Sequence, residues 1–223
     1  REVITDAALK TPSTAVSKAI YFRSCVCGAI DTDEENTFEV AHIHTPGAEA
    51  TATLPQVCTE CGTVLAVPTD ETLNTRYSVD TGNTWIYSTF ADALAAVGSE
   101  DAVIEIFRDV TLTANIAVAS SLVLRSLPDV GNICTVSRAT SFTDNSMITI
   151  AGGGSLELEN ITLDGCGIFV NHSGAGLYLA DGATATIENG TTICGGKLDN
   201  INNNIGCGGG VYVSGGATLT MNG

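Results

Sequence analysis

The chain has 223 residues, of which 44% are hydrophobic, 15% are charged and 24 are glycine. The formal net charge is −16, from 9 basic and 25 acidic residues, which argues against nucleic acid or an anionic membrane surface as the partner. No run reaches the roughly 18 apolar residues of a membrane span, so membrane insertion of this segment is not expected. The composition is typical of a packed, turn-rich β protein with one or two domains.

Residues 1–75 are predicted to form a separate small β-rich module made of two similar units, at about 1–40 and 41–75. STAVSKAIYFRSCVCGAI begins at Ser13, and EATATLPQVCTECGTVL begins at Glu49. Both run from a Thr-Ala segment through a short strand to cysteines and a glycine. They resemble the small cysteine repeats of Firmicute surface proteins, which typically contain HTPGxEATC followed by QVCxxCG. Two departures are Ala15 and Ala52 where those repeats carry a cysteine, and a third is CxC in place of CxxC in the first unit.

The segment Cys58-Thr-Glu-Cys61-Gly62 has the form of a zinc knuckle. Two thiolates reach one metal ion, and the glycine lets backbone N–H groups approach the sulfurs. One knuckle supplies two ligands, and Cys25 and Cys27 are predicted to complete a Cys₄ site. Such a structural zinc would stabilise a module that is too small for a good core.

Other readings of the same cysteines stay open. His42 and His44 are alternative ligands, although HIHTPG is more typical of ordinary strand positions ahead of a proline turn. Disulfides are compatible with an exported chain that has an even number of cysteines, here eight. Free thiols are the third alternative.

The polar stretch PTDETLNT from Pro68 indicates a linker, and a hairpin and a short helix are predicted to follow it. The hairpin is expected around a TGN turn, between Tyr77 and Val79 on one side and Trp85 and Tyr87 on the other. The helix is expected to begin after Ser88 or Thr89, to end at Gly98, and to share one apolar face among Phe90, Leu94 and Val97. It would cover the open end of the fold that comes next.

That fold begins with four pairs of alternating apolar residues, which predict short strands: Ile104 and Ile106, Val110 and Leu112, Ile116 and Val118, Leu122 and Leu124. Pro128 and Gly131 interrupt the pattern. SRATSFTDNS, from Ser137, is predicted to be a loop that leaves the strands.

One phrase then recurs three times: MITIAGGGSLELENITLDG from Met147, GLYLADGATATIENGTTICGG from Gly176, and GGGVYVSGGATLTMNG from Gly208. Each copy predicts a strand, a glycine turn and another strand. The step is 29 residues from Ile148 to Leu177 and 34 residues from Leu177 to Val211. The phrase predicts stacked coils in which Ile148, Leu177 and Val211 form one apolar ladder, meaning a row of residues that pair across successive strands. Leu158, Ile187 and Met221 form a second ladder.

This pattern resembles the right-handed parallel β-helix of pectin-lyase-like surface proteins of gut Firmicutes. The resemblance implies an all-β chain in which residues 76–223 form a parallel β-helix (solenoid), capped by the hairpin and helix and truncated at its C-terminal end. An exposed end of that kind is expected to favour end-to-end self-association. The fold carries lyases, hydrolases, tailspikes and adhesins alike, so it does not decide the function.

The repeat also aligns LDGCG with TICGG, which is expected to place Cys166 and Cys194 in equivalent turns of consecutive coils. Stacked equivalents lie about 4.8 Å apart, within the range of Cα separations that a disulfide accepts. Proximity is therefore expected, and both a bond and free thiols remain open. Cys134 and Cys207 have no partner in the repeat and are expected to be reduced.

No catalytic constellation is recognised in the sequence. The cations beyond residue 100, Arg108, Arg125, Arg138 and Lys197, do not stand in strands beside paired aspartates. The best carboxylate pair is Glu157 and Glu159, with Glu188 near them on the next rung, and outward acids of this kind are usually solvated. No nucleophile motif, phosphate loop or metalloprotease motif is present.

The function expected from these observations is that of a non-catalytic segment of a secreted or cell-surface bacterial adhesin-like protein. It would present loops to a glycan or a host surface protein, with the export signal and anchor outside this segment. The alternative is a fragment of a carbohydrate-active enzyme, a polysaccharide lyase or glycoside hydrolase, whose active site lies elsewhere.

Overall fold

A computed structural model describes residues 2, 6–11, 19–24, 29–30, 32–33, 35–40, 44–143, 145–170, 173–198 and 209–222. The chain divides into two compact units, 1–69 and 70–223. Strands dominate both units, and the larger one is built on parallel sheets, so the chain is a mostly β protein.

The first unit contains short antiparallel strands. After a 3₁₀ turn at Asp6–Ala8, the described strands are β1 (Leu9–Thr11), β2 (Ala19–Phe22), β3 (Thr37–Val40), β4 (Gln56–Val57) and β5 (Val64–Ala66). The first three form one sheet in the order β1-β2-β3, and β4 pairs with β5 around the CTECG turn. Cys25, Cys27 and His42 lie outside the described residues.

The second unit opens with a hairpin and a helix, as the sequence predicts. β6 (Thr75–Ser78) pairs antiparallel with β7 (Ile86–Ser88), and α1 (Phe90–Val97) follows. Thr89 caps the helix, because its side-chain oxygen accepts a hydrogen bond from the Asp92 N–H, and Gly98 ends it.

At most twelve residues separate each of the remaining described strands from the next. They are β8 (Ala102–Ile106), β9 (Val110–Leu112), β10 (Ile116–Val118), β11 (Ser121–Ser126), β12 (Cys134–Arg138), β13 (Ile148–Ile150), β14 (Ser155–Glu159), β15 (Ile161–Asp164), β16 (Phe169–Val170), β17 (Leu177–Leu179), β18 (Thr184–Ile187), β19 (Thr192–Cys194), β20 (Lys197–Leu198), β21 (Val211–Val213) and β22 (Thr218–Met221). A 3₁₀ turn at Pro128–Val130 stands between β11 and β12.

Three sheets share these strands in a recurring order. The long sheet runs β22-β18-β14-β11-β8-β6-β7, the second sheet β10-β13-β17-β21, and the third sheet β19-β15-β12-β9. Each passage of the chain, for example β13, β14 and β15, adds one strand to each sheet in turn. All pairings from β8 onward are parallel, and β6 covers the outer edge of β8 in an antiparallel pairing. β16 and β20 form a separate parallel pair.

Both predicted ladders are confirmed by the register. Ile148 pairs with Leu177 and Leu177 with Val211, while Leu158 pairs with Ile187 and Ile187 with Met221. Side chains alternate between the core and the outer face along each strand, which is the period-two rule of a pleated strand. Ile148, Leu177 and Leu158 are fully buried, and burial of one such side chain contributes about 1.5–3 kcal/mol. The buried members of both ladders belong to one hydrophobic cluster that also includes the buried face of α1, whereas Met221 at the end of the second ladder is exposed.

Two predicted details are wrong. The stretch from Ser137 does not begin as a loop: Ser137 and Arg138 belong to β12, where they pair with Thr111 and Leu112. Arg138 is buried there, so a charged residue occupies a position that the sequence pattern assigns to solvent. Cys166 and Cys194 are not equivalent, because Cys194 pairs with Asp164 and Cys166 lies two residues further on, in the turn.

Candidate metal centre and surface charges

The turn between β4 and β5 positions two cysteines. The Cys58 N–H donates to the Thr63 carbonyl at 2.8 Å, and the Gly62 N–H donates to the Cys58 carbonyl at 3.0 Å. Gly62 has a φ of +74°, a left-handed conformation that glycine adopts without steric cost. The tight turn therefore places Cys58 and Cys61 on one short loop, with their sulfur atoms close together.

The HTPG segment brings a histidine to the same loop. The Gly47 N–H donates to the Val57 carbonyl at 2.9 Å, and the Thr59 N–H donates to the Thr45 carbonyl at 3.0 Å. A Cβ atom on Gly47 would lie 2.9 Å from the Val57 carbonyl oxygen, so this close approach requires glycine. These hydrogen bonds hold the HTPG segment against the knuckle and place His44 beside Cys61.

His44, Cys58 and Cys61 together form what we call the metal group. Their ligand atoms all lie within 4.8 Å of one another, and His44 Nδ1 is 3.5 Å from Cys61 Sγ. A tetrahedral zinc ion with Zn–S near 2.3 Å and Zn–N near 2.0 Å would hold sulfur and nitrogen about 3.5 Å apart. Two sulfurs and an imidazole nitrogen are also the donors that zinc prefers. The group therefore has the donor types and the spacing that a metal ion needs.

The surroundings of the metal group are asymmetric. Cys58 is 2% exposed, Cys61 is half-buried and His44 is exposed. The Thr63 hydroxyl lies 3.1 Å from Cys61 Sγ, close enough for a hydrogen bond that would support a thiolate. Cys58 and Cys61 are not joined by a disulfide.

His44 lies beside Cys61 and outside the described strands, so its role as an alternative ligand stays a prediction. It lies 14 and 17 residues from the two cysteines in sequence, so only the pairing of HTPG with the knuckle could show the contact. The HTPG motif, which occurs once in the chain, was the available signal.

On the second unit, charged side chains alternate along the outer face of the long sheet. This ionic row consists of Arg76, Glu105, Arg125 and Glu159, on β6, β8, β11 and β14. Arg76 Nη2 lies 2.5 Å from Glu105 Oε2, Arg125 Nη2 lies 2.7 Å from Glu105 Oε1, and Arg125 Nη1 lies 3.0 Å from Glu159 Oε2. Glu105 is 1% exposed, because the two arginines cover it.

The ionic row also contacts aromatic side chains. The Arg76 guanidinium lies 4.2 Å from the centre of the Trp85 ring, a cation–π geometry. Burial would lower the pKa of Arg125, but its hydrogen bonds to Glu159 and Glu105 raise that pKa above its ordinary value. Burial also raises the pKa of Tyr87, whose hydroxyl oxygen faces Arg76.

The ionic row is not predicted from the sequence. The sequence shows no cation beside paired aspartates, whereas the structure places Arg125 between two glutamates from neighbouring strands. Glu157 lies on the same outer face and pairs with Val123 and Thr186. Glu188 follows the Leu158–Ile187 rung, as expected, and its carboxylate accepts a hydrogen bond from the Asn222 amide at 2.9 Å.

Arg138 is the other buried cation. Its guanidinium donates to the carbonyls of Phe142, at 2.9 Å, and Ala175, at 2.6 Å, and it lies over the Phe142 ring. Burial lowers the pKa of Arg138, and the neighbouring Cys166 opposes that shift. Arg138 thus ties the chain after β12 to the segment before β17.

The described cysteines of the second unit are free thiols. Cys166 and Cys194 are exposed, and Cys134 is buried. Burial raises the pKa of the Cys134 thiol, and burial followed by the Asp164 carboxylate raises the pKa of the Cys194 thiol. Cys207 lies outside the described residues.

Comparisons of this chain with models of known protein families, with curated proteins and with solved structures find no match. Among the described residues, no helix has the length and apolar character required to cross a bilayer.

Proposed function

We propose that the chain is a non-catalytic, adhesin-like segment of a secreted or cell-surface bacterial protein. In this proposal residues 76–223 form a right-handed parallel β-helix that displays its turns and outer faces to a glycan or a host surface protein. The observation that carries the proposal is the recurrence of strands in the three sheets, in register from one passage of the chain to the next.

The recurrence supports a display scaffold because the apolar positions repeat while the turns vary. Ile148, Leu177 and Val211 hold one ladder, although the steps between them are 29 and 34 residues. Stacked coils of this kind bury one continuous interior and tolerate extra residues in their turns. The surface can therefore diversify without disturbing the core.

The ionic row supports a non-catalytic reading. Glycoside hydrolysis requires two carboxyl groups that flank a substrate and remain accessible to it. Glu105 is covered by Arg76 and Arg125, and Glu159 is bound to Arg125. Their carboxylates are engaged with arginines from adjacent strands, which favours a structural role.

A binding and turnover assay tests the proposal. The chain is screened on glycan arrays and against host extracellular proteins, and in parallel it is incubated with pectin and related polysaccharides. We expect specific binding and no new reducing ends or unsaturated products. Turnover that disappears in Glu157→Gln or Glu159→Gln would contradict the proposal and favour a carbohydrate-active enzyme.

We further infer that the metal group holds a structural Zn²⁺ that stabilises the first unit. His44, Cys58 and Cys61 would supply three ligands, and bound zinc would connect the HTPG segment to the knuckle. The support is the donor set and the 3.5 Å separation of His44 Nδ1 and Cys61 Sγ.

Metal analysis and cobalt substitution test this inference. We expect zinc in the purified chain, and Co²⁺ substitution should give the intense near-ultraviolet charge-transfer bands of cobalt–thiolate bonds. Cys58→Ser and Cys61→Ser should each weaken the bands, whereas Cys194→Ser, an exposed cysteine of the other unit, serves as the matched control. Absence of thiolate bands in the unmodified chain would contradict a metal at this group.

A further inference from the structure

The outer edge of the second sheet begins at β10. Among the described residues, no strand pairs with β10 on the side away from β13. The neighbouring long sheet differs, because β6 covers the corresponding edge of β8. An uncovered edge presents backbone groups that another strand can bind.

The hydrogen bonds of β10 show which groups face outward. The Ile116 N–H donates to the Met147 carbonyl at 2.9 Å, and the Val118 carbonyl accepts from the Ala151 N–H at 2.8 Å. In a parallel ladder, alternate residues direct both backbone groups to the same neighbour. Ile116 and Val118 therefore face β13, and the N–H and carbonyl of Ala117 face away from it.

A groove runs along this edge, between β10 and the C-terminal end of α1. Leu94 and Val97 line its helical wall, and Ala117 and Ala119 line its strand wall. Both alanine side chains are exposed and small, so they leave the edge accessible. The groove thus combines apolar walls with an available backbone donor and acceptor.

The rim of the groove carries negative charge. Glu100 lines the groove and is exposed, and its backbone carbonyl accepts a hydrogen bond from the Ser120 hydroxyl at 2.8 Å. The chain as a whole has a formal charge of −16. A partner segment rich in lysine or arginine is therefore complementary to this surface, and an acidic segment is not.

We propose that this groove binds an extended basic peptide segment of a partner protein, which adds to the second sheet as a strand beside β10. Main-chain hydrogen bonds to Ala117 supply binding that tolerates many sequences, apolar side chains of the segment contact Leu94 and Val97, and Glu100 selects a basic residue. The proposal is independent of the adhesin-like function and of the metal group, because it uses only the capped end of the second unit.

The test uses the full chain and a fluorescently labelled, acetylated and amidated pentapeptide of alternating lysine and valine. Fluorescence polarisation should show saturable binding that weakens as salt is added, because the charges at an exposed rim are screened. A pentapeptide with glutamate in place of lysine should bind at least about tenfold more weakly, as expected for like charges at this rim.

Two variants separate backbone pairing from general attraction. Ala117→Pro removes the outward N–H and should weaken binding about tenfold or more. Ala117→Thr retains the N–H, adds an exposed side chain of high strand propensity, and should bind nearly as the original chain does. Glu100→Gln should weaken binding and reduce its salt dependence. Circular dichroism checks that each variant is folded.

Hydrogen exchange on the unmodified chain gives a readout that needs no variant. The Ala117 amide should exchange more slowly when the lysine–valine peptide is present, while the Thr111 amide of β9 should be unchanged. Equal binding by Ala117→Pro and Ala117→Thr would overturn the proposal, and so would the lack of binding by the lysine–valine peptide. Slow Ala117 exchange that depends on protein concentration without peptide would also overturn it, because the edge would then pair with a second copy of the chain.

Discussion

The two units of this chain differ in how they obtain stability. In the first unit, the described residues that are both apolar and buried are Ala8, Cys58 and Val64, and the strands are two to four residues long. In the second unit, a single cluster extends from Phe90 on α1 to Ile187 on β18. Most strands of the second unit are also two to four residues long, so strand length does not explain the difference.

The difference lies in repetition. Each short strand of the second unit is covered by an equivalent strand before or after it, so a three-residue segment such as β13 contributes to ladders that extend across the sheet. The strands of the first unit have no such equivalents among the described residues, and small domains without a large core usually rely on metals or disulfides. For the stability of a unit, the quality of each strand therefore matters less than the number of equivalent strands beside it.

Metal removal should have the largest effect, and it should act on the first unit alone. A strong chelator such as phenanthroline should abolish the unfolding transition of the first unit and leave that of the second unit in place, because the proposed zinc would stabilise only the first. Differential scanning calorimetry and limited proteolysis would measure the two transitions. Cys58→Ser/Cys61→Ser should reproduce the effect, and Cys166→Ser/Cys194→Ser should not. A common shift of both transitions would show that the difference between the units is not a matter of metal binding.

Core truncation should affect only the second unit. Leu158 is fully buried between Leu124 and Ile187, and Leu158→Ala should lower the free energy of unfolding of that unit by about 2–5 kcal/mol. Glu157→Ala, on the adjacent outward position, is the matched control and should change it by less than about 0.5 kcal/mol. Urea unfolding with a fluorescence readout gives both values. Similar losses from the two variants would contradict the assignment of inner and outer faces.

Loss of one carboxylate should distinguish the covered and exposed ends of the ionic row. Glu105→Gln removes the nearest carboxylate from the buried Arg76 and leaves it only the Asp129 carboxylate at 3.9 Å, so it should destabilise the second unit by about 3 kcal/mol. Glu159→Gln, at the more exposed end, should cost less than about 1 kcal/mol. The same urea titrations measure both changes. Equal costs would show that burial does not set the strength of these pairs.

The smallest expected effect concerns pH at the β6–β7 hairpin. Hydrogen bonds from the Ser78 hydroxyl and from Thr84 lower the pKa of Asp80 to about 2, from an ordinary value of 3.8. Because the folded state favours the carboxylate, the stabilisation is present above pH 3.8 and is lost as the pH falls through about 2. The midpoint of thermal unfolding of the second unit should therefore fall less steeply below pH 4 in Asp80→Asn than in the original chain. Identical pH profiles would argue that these hydrogen bonds do not persist in solution.

Much of the second unit could be predicted from sequence because its signals are local and repeated. The alternation around Ile148 and Leu158 has period two, and the copies at Leu177 and Ile187 fix the register by similarity. The helix α1 was predictable because its signals are local too: Thr89 and Gly98 are standard boundary residues before and after a segment with one apolar face.

The errors occurred where the outcome depends on partners that the pattern does not reveal. Arg138 is buried with its two Nη groups bound to the backbone carbonyls of Phe142 and Ala175, and no local pattern shows those acceptors. The sequence aligns Cys194 with Cys166, whereas the strand register pairs Cys194 with Asp164. Turns differ in length, so similarity between two turn sequences does not determine which strand residues pair. His44 reaches Cys61 through the pairing of two short segments, and the ionic row depends on the register between β8 and β11.

The glycine turn at 152–154 sets a limit on how such a chain can vary. A Cβ atom on Gly152 would lie 2.6 Å from the Asp181 carbonyl oxygen of the following passage, and one on Gly154 would lie 2.8 Å from the Val118 carbonyl oxygen of the preceding one. Mutational drift is therefore blocked at this corner from both directions. A library for directed evolution of new binding surfaces should keep this corner fixed and randomise outward-facing strand positions instead.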